Sequence, residues 1–175
     1  MEIWCNAAGG RPVSPFVSAP DFETFYMGTR HRLLRYAYGL TGDLAEAQDL
    51  AQEAYARAWS RWRRLRRYDQ PDAWLRLVVT RLATDRWRWL AVRREQPLPP
   101  EAIQGPPVED RVLVMGALKG LPLNQRRALA LRYLLDLSVA EIGVEMGANE
   151  NTVRSWLARG RASLANRLGG RIHVS

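Results

Sequence analysis

The chain has 175 residues, a length that suits one ordinary domain or two small ones. Hydrophobic residues make up 47% of it, yet no apolar run reaches the roughly 20 residues needed to cross a bilayer, so no membrane insertion is expected. The net charge of +8 is less informative as a total than in its distribution along the chain. Cys5 is the only cysteine and residues 1–20 lack a secretory pattern, which predicts a cytoplasmic protein without disulfides.

The charge is divided into blocks of alternating sign along the chain. Residues 21–53 carry a net charge of −3, and residues 54–94 carry +9 from twelve basic and three acidic side chains. Residues 95–145 return to −2 and residues 146–175 rise to +4. Basic blocks attract phosphate, whereas acidic blocks on the same protein suggest a second, basic partner. A solvated face rich in arginine would give the same counts.

The first predicted unit spans residues 21–92, after an N-terminal extension of residues 1–20 in which disorder is expected. Apolar residues recur at helical spacing up to Leu40, and Gly42 ends that pattern. Asp43 is a suitable N-cap for a second helix. On the side of this helix opposite its apolar stripe, Glu46, Asp49, Gln52 and Glu53 form a predicted exposed acidic stripe.

A third helix is expected to begin at Pro71, after a basic run that ends at Arg67. Its face made of Arg81, Thr84, Asp85 and Arg88, together with that basic run, is the candidate nucleic-acid surface. Residues 59–89 also hold five of the seven tryptophans. Most of these are expected to pack in the core, with Trp59, Trp74 and Trp89 fitting that role best.

A proline-rich linker, residues 93–108, is expected to join this unit to a second helical unit at residues 109–169, followed by a tail at 170–175. In the second unit Ser138 and Glu141 form a predicted capping box, and Gly147 permits a tight turn before a helix capped by Asn149. This pattern is typical of a helix-turn-helix, although a helical hairpin used only for packing remains an alternative.

The recognition helix of a helix-turn-helix enters the major groove with its N-terminal residues forward. Glu150, Asn151, Arg154 and Ser155 are therefore expected to meet base edges, while Arg159 and Arg161 are expected to reach phosphates.

Two segments in this order resemble a known family. AQDLAQEAYARAW is similar to the core-binding segment of bacterial RNA polymerase sigma factors. LPLNQRRALALRYLLDLSVAEIGVEMGANENTVRSWLARGRASL is similar to their C-terminal helix-turn-helix. The chain thus resembles the extracytoplasmic-function (ECF) group of the sigma-70 family. The resemblance implies an all-α fold in which a region 2-like helical bundle and a region 4-like helix-turn-helix domain are joined by a short linker.

The resemblance also implies partners and roles. Asp49, Gln52 and Glu53 match positions that dock on the coiled coil of the polymerase β′ subunit, and the β flap is a second expected contact. The segment 65–88 matches the reader of the minus-ten promoter element, with Arg66, Arg67 and Tyr68 in its loop. The helix-turn-helix matches the reader of the minus-thirty-five element, and an anti-sigma factor is expected as a regulator.

Two features depart from the family pattern. Many members carry Asn where this chain has Arg81, and alanine is common where it has Gly160. The glycine is expected to soften the recognition helix by up to about 1 kcal/mol.

Other function classes fit these features less well. The two histidines, the single cysteine and the absence of a Gly-rich phosphate loop or metal-ligand spacing argue against an enzyme, a metal site or a cofactor. A one-component helix-turn-helix regulator is the main alternative, but it would have no use for the acidic stripe. A module that binds only single-stranded nucleic acid would not need the second unit.

Overall fold

A computed structural model of the chain describes the backbone of residues 19–93 and 108–169 and the side chains of residues 22–89 and 114–169. Within those ranges the chain forms eight α-helices and no β-strand, which confirms the all-α prediction. The helices are α1 (Ala19–Thr41), α2 (Leu44–Ser60), α3 (Trp62–Leu65), α4 (Pro71–Arg93), α5 (Val108–Lys119), α6 (Leu123–Leu134), α7 (Val139–Met146) and α8 (Glu150–Gly169). The interior of the predicted linker, the C-terminal tail and nearly all of the predicted N-terminal extension lie outside the described residues.

Local sequence signals set most of the helix boundaries. Gly42 has a φ of +68°, a conformation that suits glycine and ends α1. The Asp43 side chain accepts a hydrogen bond of 2.8 Å from the Glu46 backbone N–H and so caps α2. Ser138 and Glu141 form the predicted capping box at the start of α7. Helix α4 begins at Pro71, as predicted.

Helices α1 to α4 form an N-terminal unit in which α1 packs against both α2 and α4. Tyr36, Leu40 and Leu75 are fully buried between these helices. The Tyr36 hydroxyl shares a hydrogen bond of 3.0 Å with Thr80, so the one polar atom of this aromatic side chain is satisfied in the core.

Helices α5 to α8 form a C-terminal unit in which α8 packs against α5, α6 and α7. Ile142 from α7 and Val153 from α8 are fully buried and hold the two helices of the helix-turn-helix together. Between them, Gly147 takes a φ of +64° and its N–H bonds to the Val144 carbonyl. The predicted turn is therefore present.

The two units pack against each other, an arrangement that is not predicted from the sequence. Helix α1 contacts α5 and α6, and buried residues of both units form one continuous hydrophobic core. A β-carbon built on Gly39 of α1 would lie 3.4 Å from the β-carbon of Ala130 in α6. The backbones of α1 and α6 come this close because position 39 has no side chain.

Candidate nucleic-acid interface

The predicted acidic stripe lies on α2, on the side opposite its buried alanines and leucine. Asp49, Gln52 and Glu53 are all exposed. Glu53 accepts a hydrogen bond of 2.7 Å from Arg57 one turn later, and both side chains are about half exposed. A surface pair of this kind contributes little to stability, so Glu53 can exchange Arg57 for a partner's cation at small cost. We name Asp49, Gln52 and Glu53 the acidic face.

Glu46 does not belong to this face, and its prediction as an exposed residue is wrong. Only 14% of its side chain is exposed, because α2 and α4 pack together at this point. Its Oε1 atom lies 3.6 Å from Arg86 Nε, too far for a hydrogen bond. Burial raises the pKa of Glu46, and the nearby charges of Arg86 and Lys119 offset only part of that effect.

The basic loop between α3 and α4 presents three of the predicted DNA contacts. Arg66, Arg67 and Tyr68 are exposed, and 41% of the Tyr68 surface is accessible. Leu65, which is 2% exposed, anchors the loop to the core immediately before them. A fixed loop with two arginines and an accessible aromatic ring can hold a phosphate backbone and stack on an unpaired base.

The remaining residues of that predicted surface lie along α4. Arg81, Asp85 and Arg88 are exposed, and Asp85 is 4.0 Å from Arg88 across one turn. Thr84 is half-buried, and its hydroxyl donates to the Thr80 carbonyl at 2.8 Å. The Thr84 oxygen therefore faces a ligand only as an acceptor.

The predicted core roles of two tryptophans are wrong. Trp59 is 44% exposed and Trp89 is 50% exposed, whereas Trp74 is half-buried and packs against the core as predicted. Trp89 lies near the end of α4, six residues beyond Ala83, the last fully buried residue of this helix with a described side chain. The helical period places Trp89 on the core side, but the core does not extend that far.

Trp62 takes the buried position near the end of α2 instead. It is 6% exposed, and its ring centre lies 5.2 Å from that of Phe22 and 5.0 Å from that of Phe25. Helix α2 ends at Ser60, and the change of chain direction at Arg61 turns Trp62 inward. The helical spacing of α2 predicts Trp59 on the buried stripe, and this spacing gives no sign of the break at Arg61.

The residues predicted to meet base edges lie in the first two turns of α8. Asn149 caps the helix by accepting a hydrogen bond of 2.9 Å from the Thr152 N–H. Glu150, Asn151 and Arg154 are exposed next to this cap, and Ser155 is half-buried. Arg154 donates to Glu150 at 2.6 Å and to Asn151 at 3.3 Å. The three side chains thus form one polar cluster that a base edge can reorganise.

Further along α8, Arg159 is exposed and Arg161 donates to the Tyr133 hydroxyl of α6 at 3.2 Å. Gly160 between them is buried against α6, and a β-carbon there would lie 2.8 Å from Leu129 Cδ1. The glycine therefore lets α8 approach α6. The sequence predicts only that Gly160 softens the recognition helix and does not predict this packing role.

The residues with described side chains hold no group of three or more His, Cys, Asp or Glu that could bind a metal ion. No helix among the described residues is long and apolar enough to span a membrane.

An ionic cluster between the two units is a further feature that is not predicted from the sequence. Arg76 of α4 donates two hydrogen bonds, of 2.7 and 2.6 Å, to the two carboxylate oxygens of Glu145 in α7, and a third of 2.7 Å to Asp72. The side chains of Arg76 and Glu145 are each 6% exposed. Burial alone would raise the pKa of Asp72, but the hydrogen bond and charge of Arg76 hold it below its ordinary value.

Two known protein families match successive parts of the chain. Residues 25–91 match the family Sigma-70 region 2, which covers most of α1 to α4. Residues 111–164 match the family Sigma-70, region 4, which covers the helix-turn-helix.

Relatives with similar sequences are named RNA polymerase sigma factors. The chain is 34% identical over 158 residues to the RNA polymerase sigma-E factor of Streptomyces coelicolor, and the alignment covers 86% of this chain and 88% of that protein. It is 35% identical over 136 residues to the ECF RNA polymerase sigma factor SigL of Mycobacterium tuberculosis, covering 71% of this chain and 76% of SigL.

Two solved structures share the fold. The sigma factor RpoE of Bartonella quintana, solved in complex with the anti-sigma factor NepR, superposes with a TM-score of 0.68 and 22% identity over 85% of this chain and 97% of that chain. The extracytoplasmic function sigma factor SigJ of Mycobacterium tuberculosis gives a TM-score of 0.57 and 30% identity, covering 86% of this chain and 57% of SigJ.

Proposed function

Because the chain belongs to the ECF group of the sigma-70 family of RNA polymerase sigma factors, we propose that its acidic face docks on core RNA polymerase. The acidic face consists of Asp49, Gln52 and Glu53, and its partner is the coiled coil of the β′ subunit. Exposure of all three side chains and the easily exchanged Glu53–Arg57 pair support this role. The C-terminal unit contacts the β flap.

We propose that the basic loop and α4 read the minus-ten element. Arg66 and Arg67 hold the strand backbone, Tyr68 stacks on a released base, and Arg81, Thr84, Asp85 and Arg88 line the path of the strand. Separating DNA strands costs about 1.4 kcal/mol per base-pair step, and stacking on an aromatic ring returns about 1 to 3 kcal/mol per base. Binding energy can therefore drive opening, and the chain acts without catalysing a reaction of its own.

The minus-thirty-five element is read by α8 in this proposal. Glu150, Asn151, Arg154 and Ser155 face base edges, while Arg159 and Arg161 contact phosphates. The cytoplasm, where core polymerase and promoters meet, is the place of action. An anti-sigma factor regulates the chain, and support for this class of partner comes from the Bartonella quintana sigma factor, which was solved in complex with one.

The observation that carries the proposal is the combination of one acidic face with two separate basic surfaces on a chain related to sigma factors. The test is transcription in vitro from a promoter library with purified core polymerase. The native chain should give promoter-specific transcripts. A variant with Asp49→Ala and Glu53→Ala should give about tenfold fewer at limiting polymerase, because two charged contacts are lost.

A Glu23→Ala variant is the control for loss of an exposed carboxylate, since Glu23 lies on α1, outside the acidic face, and its removal should leave transcription as in the native chain. The native chain could instead fail to bind or redirect core polymerase and yet bind duplex DNA as a dimer. That result would identify a one-component regulator. The relatives named sigma factors do not favour that alternative.

A further inference from the structure

We infer that a groove lined by aromatic side chains of α1 and α2 binds a proline-rich segment of the same chain, residues 12–17. This segment reads PVSPFV and is followed by Ser18 and then by α1, which begins at Ala19. The inference does not depend on the proposed function, since its evidence and its tests involve neither polymerase nor DNA. We name four side chains the aromatic groove: Phe22, Tyr26, Tyr55 and Trp59.

The aromatic groove is built from facing turns of α1 and α2. The ring centre of Phe22 lies 4.9 Å from that of Trp59, and one turn later the ring centre of Tyr26 lies 4.8 Å from that of Tyr55. Tyr55 is buried, and its hydroxyl shares a hydrogen bond of 2.8 Å with Thr29. Tyr26 and Trp59 are 37% and 44% exposed. The groove has a volume of about 520 Å³, which lies within the range of roughly 300 to 1,000 Å³ that is typical of ligand sites.

The spacing of the two exposed rings fits the spacing of the two prolines in the segment. A polyproline II helix has three residues per turn and rises about 3.1 Å per residue, so Pro12 and Pro15 project on one side about 9 Å apart. Tyr26 and Trp59 lie one turn apart along neighbouring helices, which places their rings roughly 10 Å apart. Grooves lined by aromatic rings bind segments with this proline spacing, because such a segment loses little entropy on binding.

The connection between the segment and the aromatic groove is short. From Pro15 to Ala19 the chain can span at most about 14 Å, whereas Phe22 and Tyr26 lie only about 5 to 10 Å along α1 from Ala19. The segment can therefore fold back onto the first two turns of α1. A short connection gives an effective concentration in the millimolar range, so a few apolar contacts are sufficient for docking.

A second proline-rich stretch, residues 97–100 of the linker, has the same proline spacing but begins far from the aromatic groove. The chain enters the linker from α4, and Arg86 of α4 lies 3.6 Å from Glu46 in the first turn of α2. About 20 Å of helix separates Glu46 from Trp59. The segment before α1 needs a shorter loop than the linker does, so its docking costs less entropy.

A docked segment would lie beside the acidic face. Ala56 is exposed on the wall of the aromatic groove, one helical turn beyond Gln52 of the acidic face. A partner that contacts the acidic face would therefore also meet the segment along one edge. Docking would in addition remove part of the apolar surface of Tyr26 and Trp59 from water, which favours the docked form.

Protection of a thiol tests the docking in the full-length chain. In a Cys5→Ser chain with Ala56→Cys, the docked segment should slow the reaction of the new thiol with a water-soluble maleimide. Adding Pro12→Ala and Pro15→Ala removes the fixed extended backbone, so the rate should rise at least about threefold as the undocked fraction grows. Val144→Cys, at an 80% exposed position of α7, is the matched control and should react at one rate with either segment.

A variant of the linker identifies the occupant. Pro99→Ala with Pro100→Ala, made in the same Ala56→Cys chain, should leave the rate unchanged. A faster reaction with the linker variant and not with the segment variant would assign the groove to the linker and overturn the inference. Equal rates in all of these chains would also overturn it, because no proline-rich part of the chain would then cover position 56. Circular dichroism checks that each chain is folded.

A disulfide tests where the segment lies. In the Cys5→Ser chain, Ser14→Cys, between the two prolines, should cross-link to Ala56→Cys within one chain at a rate that does not depend on protein concentration. Tyr26→Ala removes one exposed ring of the aromatic groove and should slow this cross-linking at least about fivefold. Met27→Ala is the matched control, because it removes a 53% exposed side chain of the same helix outside the groove.

Two results of the cross-linking experiment would contradict the inference. Equal rates with and without Tyr26→Ala would show that the short connection alone brings the two thiols together. Cross-linked dimers whose share increases with protein concentration would show that the groove binds the segment of a second copy instead.

Discussion

Gly143 lies inside α7, where alanine would ordinarily be the better helix former. A β-carbon at this position would lie 2.7 Å from the Ala148 carbonyl oxygen. The backbone of Ala148 lies this close to α7 because its N–H donates a hydrogen bond of 2.9 Å to the Gly143 carbonyl. The glycine therefore trades helix propensity for a tight helix-turn-helix.

Gly143→Ala should lower the free energy of unfolding by about 1 to 2 kcal/mol, since the clash with a backbone carbonyl outweighs the gain in helix propensity. Gly116→Ala, also inside a helix but with open space around its new β-carbon, should raise it by up to about 1 kcal/mol. Urea unfolding of both variants measures whether each substitution lowers or raises the free energy of unfolding. Equal stabilisation in both would show that the turn can relax away from position 143.

Glu46 makes stability depend on pH in an unusual direction for a carboxylate. Its pKa in the folded chain is raised above the ordinary value of 4.5, so the protonated form favours folding. This contribution is fully present below pH 4.5 and is lost as the pH rises through the raised pKa. Glutamine cannot ionise, so Glu46→Gln should not lose stability as the pH rises. At pH 7 the variant should be more stable than the native chain by less than about 1 kcal/mol.

Urea unfolding at about pH 4.5 and at about pH 7 checks this prediction for Glu46. The difference in stability between Glu46→Gln and the native chain should be larger at the higher pH. A variant that is less stable than the native chain at neutral pH would show that attraction to Arg86 outweighs the cost of burying the charge.

At the scale of helices, Arg126 joins the carboxyl ends of α1 and α5. It donates to the Leu40 carbonyl of α1 and the Lys119 carbonyl of α5, and to the Leu121 carbonyl just beyond. Carbonyls in the last turn of a helix have no partner within that helix, and a cation there also offsets the helix dipole. One side chain therefore satisfies two helix ends and fixes the angle between the helices.

Arg126→Lys should destabilise the chain by about 1 to 3 kcal/mol, because a single ammonium group cannot reach all three carbonyls and leaves buried acceptors without donors. Arg132→Lys, on the same helix, is the control. Its guanidinium is exposed and donates to one carbonyl, that of Leu137, so its effect should stay within about 0.5 kcal/mol. Thermal and urea unfolding measure both. An equal effect of the two substitutions would argue that Arg126 is not a structural clamp.

The elements that are well predicted from the sequence are those set by local signals. Asp43, Ser138 and Asn149 cap their helices through side-chain contacts only three residues away, so their helix starts can be recognised from spacing alone. The partners of Arg76 and Arg126 could not be recognised in this way. Glu145 is 69 residues from Arg76, and a buried arginine has the same letter as one that contacts DNA.

For the whole molecule, a continuous core predicts cooperative unfolding. Buried residues of α1, α4 and α6 belong to one cluster, so neither unit keeps all of its buried surface when the other unfolds. Calorimetry of the native chain should show one transition whose calorimetric and van't Hoff enthalpies agree. Glu145→Gln should broaden it or divide it into two. Two well-separated transitions in the native chain would indicate that the units are thermodynamically independent.

The shared core at Gly39 and Ala130 also links ligand binding at one unit to the stability of the other. A ligand that binds only the folded chain raises its free energy of unfolding, by about 2.7 kcal/mol when the free ligand is at about 100 times its dissociation constant. Because buried residues of both units belong to one cluster, a ligand bound to the C-terminal unit should also slow amide hydrogen exchange in the N-terminal unit. The contact between α1 and α6 thus couples the resistance of each unit to unfolding with what the other unit binds.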